Sequence, residues 1–232
     1  MGKVYKNAPL VEAVFEMRFP ADLNIECARS NFYESIKKDF PNIFVPNAQF
    51  GQALALQPYE FKSADHKKVI RFSINSFAFH TSDYSGGFEL FEEECLKYIN
   101  LFIKFFKIST LNRMGLRYIN RIAIMRKDGL IPIGEYLNFG FELPDSMSSD
   151  PEIFHALLIN KVGDGKLRTL IQYQEVPPKN EVILLDFDYY YEDKIKAIDF
   201  PKYLTQAHKH IKEDVFKKLI SENYMKALEA KG

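Results

Sequence analysis

Asp186 and Asp188 stand two residues apart in the run VILLDFDYYYED at 182–193. β-Branched and aromatic residues dominate that run, so it reads as a strand. Side chains alternate along a strand, which puts both aspartates on one face about 7 Å apart. Two carboxylates so placed can share a Mg²⁺ or Mn²⁺ ion, as nucleotidyl-transfer chemistry requires. That chemistry also needs a cradle for phosphate. Ser85, Gly86 and Gly87 precede a helix N-terminus, an ordinary anion site. Glu89, Glu92, Glu93 and Glu94 crowd the same end, satisfy the helix dipole and repel phosphate. The GDGK run at 163–166 carries P-loop letters without the Ser/Thr or the following helix, and reads as a hairpin.

Arginines offer the aspartates a different partner. In RMGLRYINRIAI (113–124), Met114, Leu116, Tyr118, Ile122 and Ile124 share one face, and Arg113, Arg117 and Arg121 share the other. In LVEAVFEMRF (10–19), Glu12 and Glu16 lie on one face, opposite Ala13, Phe15 and Met17. If these two strands pair, Glu12 and Glu16 approach Arg117 and Arg121, with Asp186 and Asp188 on a neighbouring strand. Three readings of that face stand: a structural ladder of ion pairs, a surface for a partner, and a metal site. The candidate binding residues are Glu12, Glu16, Arg117, Asn120, Arg121, Asp186 and Asp188. Asn120 has the opposite parity to the arginines and is the weakest member. No catalytic residue, metal ligand or cofactor site is assigned, because HExxH, GxSxG and Cys/His ligand patterns are missing from the sequence. His208 and His210 read as a solvated helix surface, with His210 and Asp214 spaced as helical neighbours.

The elements that must hold these residues follow from periodicity. A strand over 10–19 precedes an amphipathic helix over 24–40, with Ile25, Ala28, Phe32 and Ile36 inward. Strand-like runs follow at 53–62 and 68–81. A helix over 88–107 then presents Phe88, Phe91, Cys95, Tyr98, Phe102 and Phe105 to the core. After the 113–124 strand come a short helical piece near 132–138 and a Pro/Ser/Asp loop at 143–151. Strands at 153–162, 167–176 and 182–191 follow. A long C-terminal helix starts at Asp199, a plausible N-cap, with Phe200, Leu204, Ala207, Ile211, Val215 and Leu219 inward. The expected fold is α+β: two similar β-α-β-β-β-α halves, at 1–110 and 111–232, forming antiparallel sheet with long helices on one face. A TATA-box-binding-protein-like or helix-grip-like arrangement is the nearest analogy.

Composition narrows the classes further. Lys+Arg and Asp+Glu are 31 each, which argues against bulk electrostatic attraction to nucleic acid or anionic membrane. Hydrophobic residues at 47% suffice for a sizeable core, and the 21 Phe and 13 Tyr make it an aromatic one. Cys27 and Cys95 lack CxxC spacing and suggest buried thiols in a reduced, cytoplasmic setting. Glu12 and Glu16 break the first apolar run, so neither a signal peptide nor a membrane span is expected.

Three stretches together resemble a known family: NAPLVEAVFEMRF (7–19), GLRYINRI (115–122) with LLDFDYY (184–190), and AHKHIKEDVFKKLISENYMKAL (207–228). It is the uncharacterised prokaryotic family of roughly 250-residue proteins, a one-domain length, that is sporadically distributed among bacteria and archaea. The likeness runs nearly end to end. Its scattered distribution implies mobile or defence-linked genes, including toxin–antitoxin-like pairs, and it supplies no catalytic residues. The expectation is a non-catalytic module that binds a protein partner. The alternatives are a metal-dependent enzyme acting on nucleotides or nucleic acid through Asp186 and Asp188, and a nucleic-acid-binding module using Arg113, Arg117 and Arg121.

Overall fold

Long strands rich in β-branched and aromatic residues build the sheet. The structure is a computed structural model that describes residues 8–45, 58–140, 144, 147, 151–177 and 180–230. The first part contains β1 (Leu10–Arg18), α1 (Leu23–Ile36), β2 (Asn42–Phe44), β3 (Tyr59–Lys62), β4 (Lys68–Ser73), β5 (Ser76–Thr81) and α2 (Gly87–Phe106). The second contains β6 (Thr110–Ala123), α3 (Ile133–Tyr136), β7 (His155–Val162), β8 (Gly165–Val176) and β9 (Asn180–Lys196). A 3₁₀ turn (Ala197–Asp199), α4 (Phe200–Lys209), a π turn (His210–Phe216), α5 (Lys217–Leu219) and α6 (Glu222–Ala230) complete it. Among the described residues the strands form one nine-stranded sheet in the order β2-β3-β4-β5-β1-β6-β9-β8-β7. All its pairings are antiparallel. The architecture is α+β, and no helix among the described residues is long and apolar enough to cross a membrane.

The two opening strands lie side by side at the centre, with Phe15 opposite Leu116 and Val14 opposite Arg117. On one face Phe15, Met17, Leu116, Met114, Phe187 and Tyr189 are buried. The helices pack there. Phe200 of α4 meets Phe15 at 5.9 Å, and Phe91 of α2 meets Phe79 at 5.9 Å. Under α1 and α2 the core is mostly aromatic. Phe102 sits at its centre, its ring 4.6 Å from Phe77, 4.8 Å from Phe106, 5.3 Å from Phe32, 5.5 Å from Phe72 and 5.7 Å from Phe19. Edge-on and tilted contacts of this kind add to the burial term.

The structure corrects several boundaries. The run at 68–81 is a hairpin, turned at Ile74–Asn75, where Ser73 Oγ lies 2.8 Å from both Asn75 Oδ1 and Ser76 Oγ. Apolar Ile74 masked the turn chemistry of its neighbours. The connection after α1 contains the short strand β2, so the first part runs β-α-β-β-β-β-α rather than β-α-β-β-β-α. Residues 53–57 of the expected 53–62 strand, and most of the 143–151 loop, lie outside the described residues. Helix α1 stops at Ile36 and is capped by Asp22, which accepts from the Asn24 amide at 2.9 Å. In α2 the inward residue is Phe106, while Phe105 is 39% exposed.

The C-terminal helix is broken rather than continuous, and Asp199 makes no side-chain capping bond. The inward stripe Leu204, Ala207, Ile211, Val215 then advances mostly in steps of four. Steps of four drift off the face of a helix with about 3.6 residues per turn. The wider π turn over His210–Phe216 absorbs that drift. At the β7–β8 hairpin, Gly163 takes φ +56 and Gly165 lies so close to the Tyr189 ring that a Cβ would fall 2.7 Å from it.

Phe102→Ala removes the central ring of the aromatic core. It is expected to cost about 3–5 kcal/mol, measured as a lower midpoint in guanidinium unfolding with the slope unchanged.

Candidate functional site

The face away from the helices carries the charges. Strand registry aligns Arg117 with Asp188, Ile119 with Asp186 and Gly115 with Tyr190. Each arginine reaches diagonally. Arg117 donates Nε to Asp186 Oδ1 at 2.7 Å and Nη2 to Oδ2 at 2.8 Å, a two-pronged pair. Arg168 of β8 donates Nη1 to the same Oδ2 at 3.0 Å. Asp186 is almost fully buried beneath them, with 2% of its side chain exposed, whereas Arg117 keeps 45%. Arg113 donates Nη2 to Asp188 Oδ2 at 2.7 Å and Nη1 to Glu16 Oε1 at 3.1 Å. Arg18 completes the group through Nε to Glu16 Oε1 at 2.7 Å. Gly115 makes the Arg113 crossing possible. A Cβ there would stand 3.0 Å from Asp188 Oδ1 and 3.2 Å from Arg113 Nη1.

Glu12 lies farther along β1, and its Oε1 is 2.8 Å from His80 Nδ1. That contact holds its carboxyl below the usual carboxylate range, against the effect of burial. Burial pushes the Asp188 carboxyl up, opposing the pull of Arg113 and Arg117. The chemistry of this face is therefore charge neutralisation. A divalent cation at Asp186 would have to displace guanidinium from both carboxylate oxygens. Among the described residues no group of three His, Cys, Asp or Glu side chains could hold a metal ion.

Asp186, Asp188, Arg117 and Glu16 are brought together in one lattice. Glu12 is on the same face, but its partner is His80 rather than an arginine. Arg121 is exposed and makes no ion pair among the described residues; its backbone amide donates to Pro9 O at 2.8 Å. Asn120 is on the other face, 4% exposed, with Nδ2 donating to Leu185 O at 3.4 Å.

That other face holds polar groups that the charge pattern did not single out. Tyr84 Oη lies 2.9 Å from Tyr118 Oη, which lies 2.8 Å from His208 Nδ1. The His208 ring stacks on Phe88 with centroids 3.8 Å apart. The expected solvated histidines are thus packed: His208 on Phe88, and His210 on Tyr189 at 5.0 Å. His210 Nδ1 also meets Asp214 Oδ2 at 2.7 Å, as the helical spacing predicts. Burial lowers the His208 imidazole to about 4, aided by the nearby Lys212 ammonium. Burial likewise pushes the Tyr118 hydroxyl and the Cys95 thiol up. Cys27, expected to be buried, is exposed.

The sequence did contain one signal for this cluster. Tyr118 and Asn120 are polar residues at positions whose parity is that of buried Leu116 and Ile122. Polar groups on an inner face demand partners, and His208 supplies one of them.

Arg117→Ala leaves buried Asp186 with Arg168 alone and is expected to cost about 3 kcal/mol. Arg117→Ala/Asp186→Ala is expected to cost less than the two single changes together. A double-mutant cycle of urea unfolding measures that coupling. The His208 imidazole protonates in the unfolded chain near its ordinary 6.5, but in the folded chain only near 4. Between those values the unfolded state binds more protons, so stability falls as pH drops through that window, by about 3 kcal/mol in full. His208→Gln should flatten that segment of the stability–pH curve obtained from urea titrations.

No family model matches the chain, and no curated protein matches it.

Proposed function

We propose that the chain is a non-catalytic binding module for a protein partner, which docks on the open strand face around Arg117, Arg121, Glu12 and Glu16. The observation that carries this reading is the pairing of Asp186 with Arg117 and Arg168. It turns the residues best suited to metal chemistry into the base of a rigid surface. Arg117 is locked by two bonds yet remains 45% exposed, so it presents a fixed planar donor without the entropy cost of ordering a free arginine. Arg121 stands beside this lattice, exposed. Arginines so held are common anchors at protein interfaces.

The same observation favours protein over nucleic acid. Arg113 and Arg117 are each already neutralised by a carboxylate, so the face offers phosphate little net positive charge. Membership of the sporadically distributed family, a defence or toxin–antitoxin setting and a cytoplasmic location belong to this proposal. So does descent from a duplicated half, at 1–110 and 111–232. The mirrored order β3-β4-β5-β1 against β7-β8-β9-β6 supports it, and a TBP-like or helix-grip-like relation of the halves is part of the same reading.

Affinity capture of the tagged chain from its host tests the reading. One stoichiometric protein is expected on the wild type, and at least a tenfold loss on Arg121→Glu with an unchanged melting temperature. Nucleic acid retained instead, and released steeply by salt, would replace this proposal with the nucleic-acid one.

A further inference from the structure

The Tyr84–Tyr118–His208 chain borders a cavity of about 310 Å³ between the inner sheet face and the helices α2 and α4 with the π turn. Its walls are mainly apolar, from Leu10, Phe88, Phe187, Ile211 and Phe216. A volume of this size falls at the small end of ligand pockets. Three features distinguish it from a packing gap.

The first is Asn120. It is 4% exposed and lines the cavity, and its side-chain oxygen has no hydrogen-bond partner among the described residues. An amide oxygen on a cavity wall can accept a hydrogen bond from whatever enters. The second is His208, whose Nδ1 is taken by Tyr118 and whose Nε2 has no partner among the described residues. In either tautomer the Tyr84–Tyr118–His208 chain offers the cavity one donor and one acceptor, at Tyr84 Oη and His208 Nε2. The third is charge. Lys209 and Lys212 line the same cavity, and neither makes an ion pair among the described residues. Glu89 lines it too and opposes an anion; among the described lining residues two lysines stand with one glutamate, and Glu213 lies near His208. Lys212 follows His208 by one helical turn, and its charge bears directly on that imidazole.

We propose that this cavity binds a small apolar carboxylic acid, its hydrocarbon body against Phe187, Phe216 and Ile211 and its carboxylate between Lys212 Nζ and the His208 ring. The two contacts have different roles. The apolar wall supplies most of the affinity through surface removed from water. The Lys212–His208 pair selects an acid over a neutral molecule of the same body. A carboxylate beside His208 also favours the imidazolium, so binding takes up protons as the pH falls toward the imidazole's own range. Glu89, Lys209, Lys212, Glu213 and the Tyr84 and Tyr118 hydroxyls share that environment and set the size of the effect. The inference is independent of the partner proposed for the opposite face.

Calorimetric titration with octanoate and with 1-octanol, on the full chain, tests it. Octanoate is expected to bind at least tenfold tighter than octanol. Lys212→Met should weaken octanoate about tenfold and leave octanol unchanged. Leu10→Trp, which fills the cavity, should abolish both. Equal binding of the acid and the alcohol would overturn the acid specificity. Unchanged octanoate affinity in Lys212→Met, or no heat from either compound, would overturn the site.

Discussion

Asp186 is a carboxylate with almost no access to water, and the middle of the sheet is arranged around neutralising it. A buried charge without a partner is among the most expensive features a fold can carry. Here one partner comes from β6 and another from β8, on either side of β9. The pairs therefore link three adjacent strands through one side chain. Shifting either neighbour by a single residue would turn its arginine to the wrong face and strand the charge. The pair thus opposes register slips more strongly than it adds stability, since desolvation offsets much of its attraction.

The rest of the charged face depends on the same geometry. Arg113 lies beyond the direct opposite of Asp188 and can reach it only because Gly115 leaves an opening. Once there, it also bonds Glu16 and so ties β9 to β1 across β6. The central strands are held by lateral charge pairs on one side and by aromatic packing on the other. Neither requires the other's residues.

Much of this was legible from alternation alone. The parity of Asp186, Asp188, Arg117 and Glu16 predicts one shared face, and pairing of the opening strands predicts their approach. The diagonal reach was not legible, because it depends on side-chain length and on Gly115 having none. Arg121 and Glu12 show the limit of the argument. They have the right parity, yet a bulge between Leu10 and Glu12 shifts the local register, and His80 takes Glu12 instead. His208 was missed for a different reason. Its neighbours Lys209, Lys212 and Glu213 make the segment look solvated, while its actual partners, Phe88 and Tyr118, lie far away in sequence. Long-range partners of that kind leave no local pattern.

Strand β6 serves both faces at once. Arg117 points to the ion-pair lattice, and Tyr118, the next residue, points to the polar chain beside the cavity. Backbone pairing on both sides of β6 holds this alternation rigid. Substituting one residue therefore removes a group from one face without moving the other, provided the register survives. The Asp186 pair secures that register. A site on the helix side thus depends on an interaction on the open side that touches none of its residues. Loss of Asp186 should accordingly disturb both faces, whereas loss of Lys212 or Arg121 should disturb one.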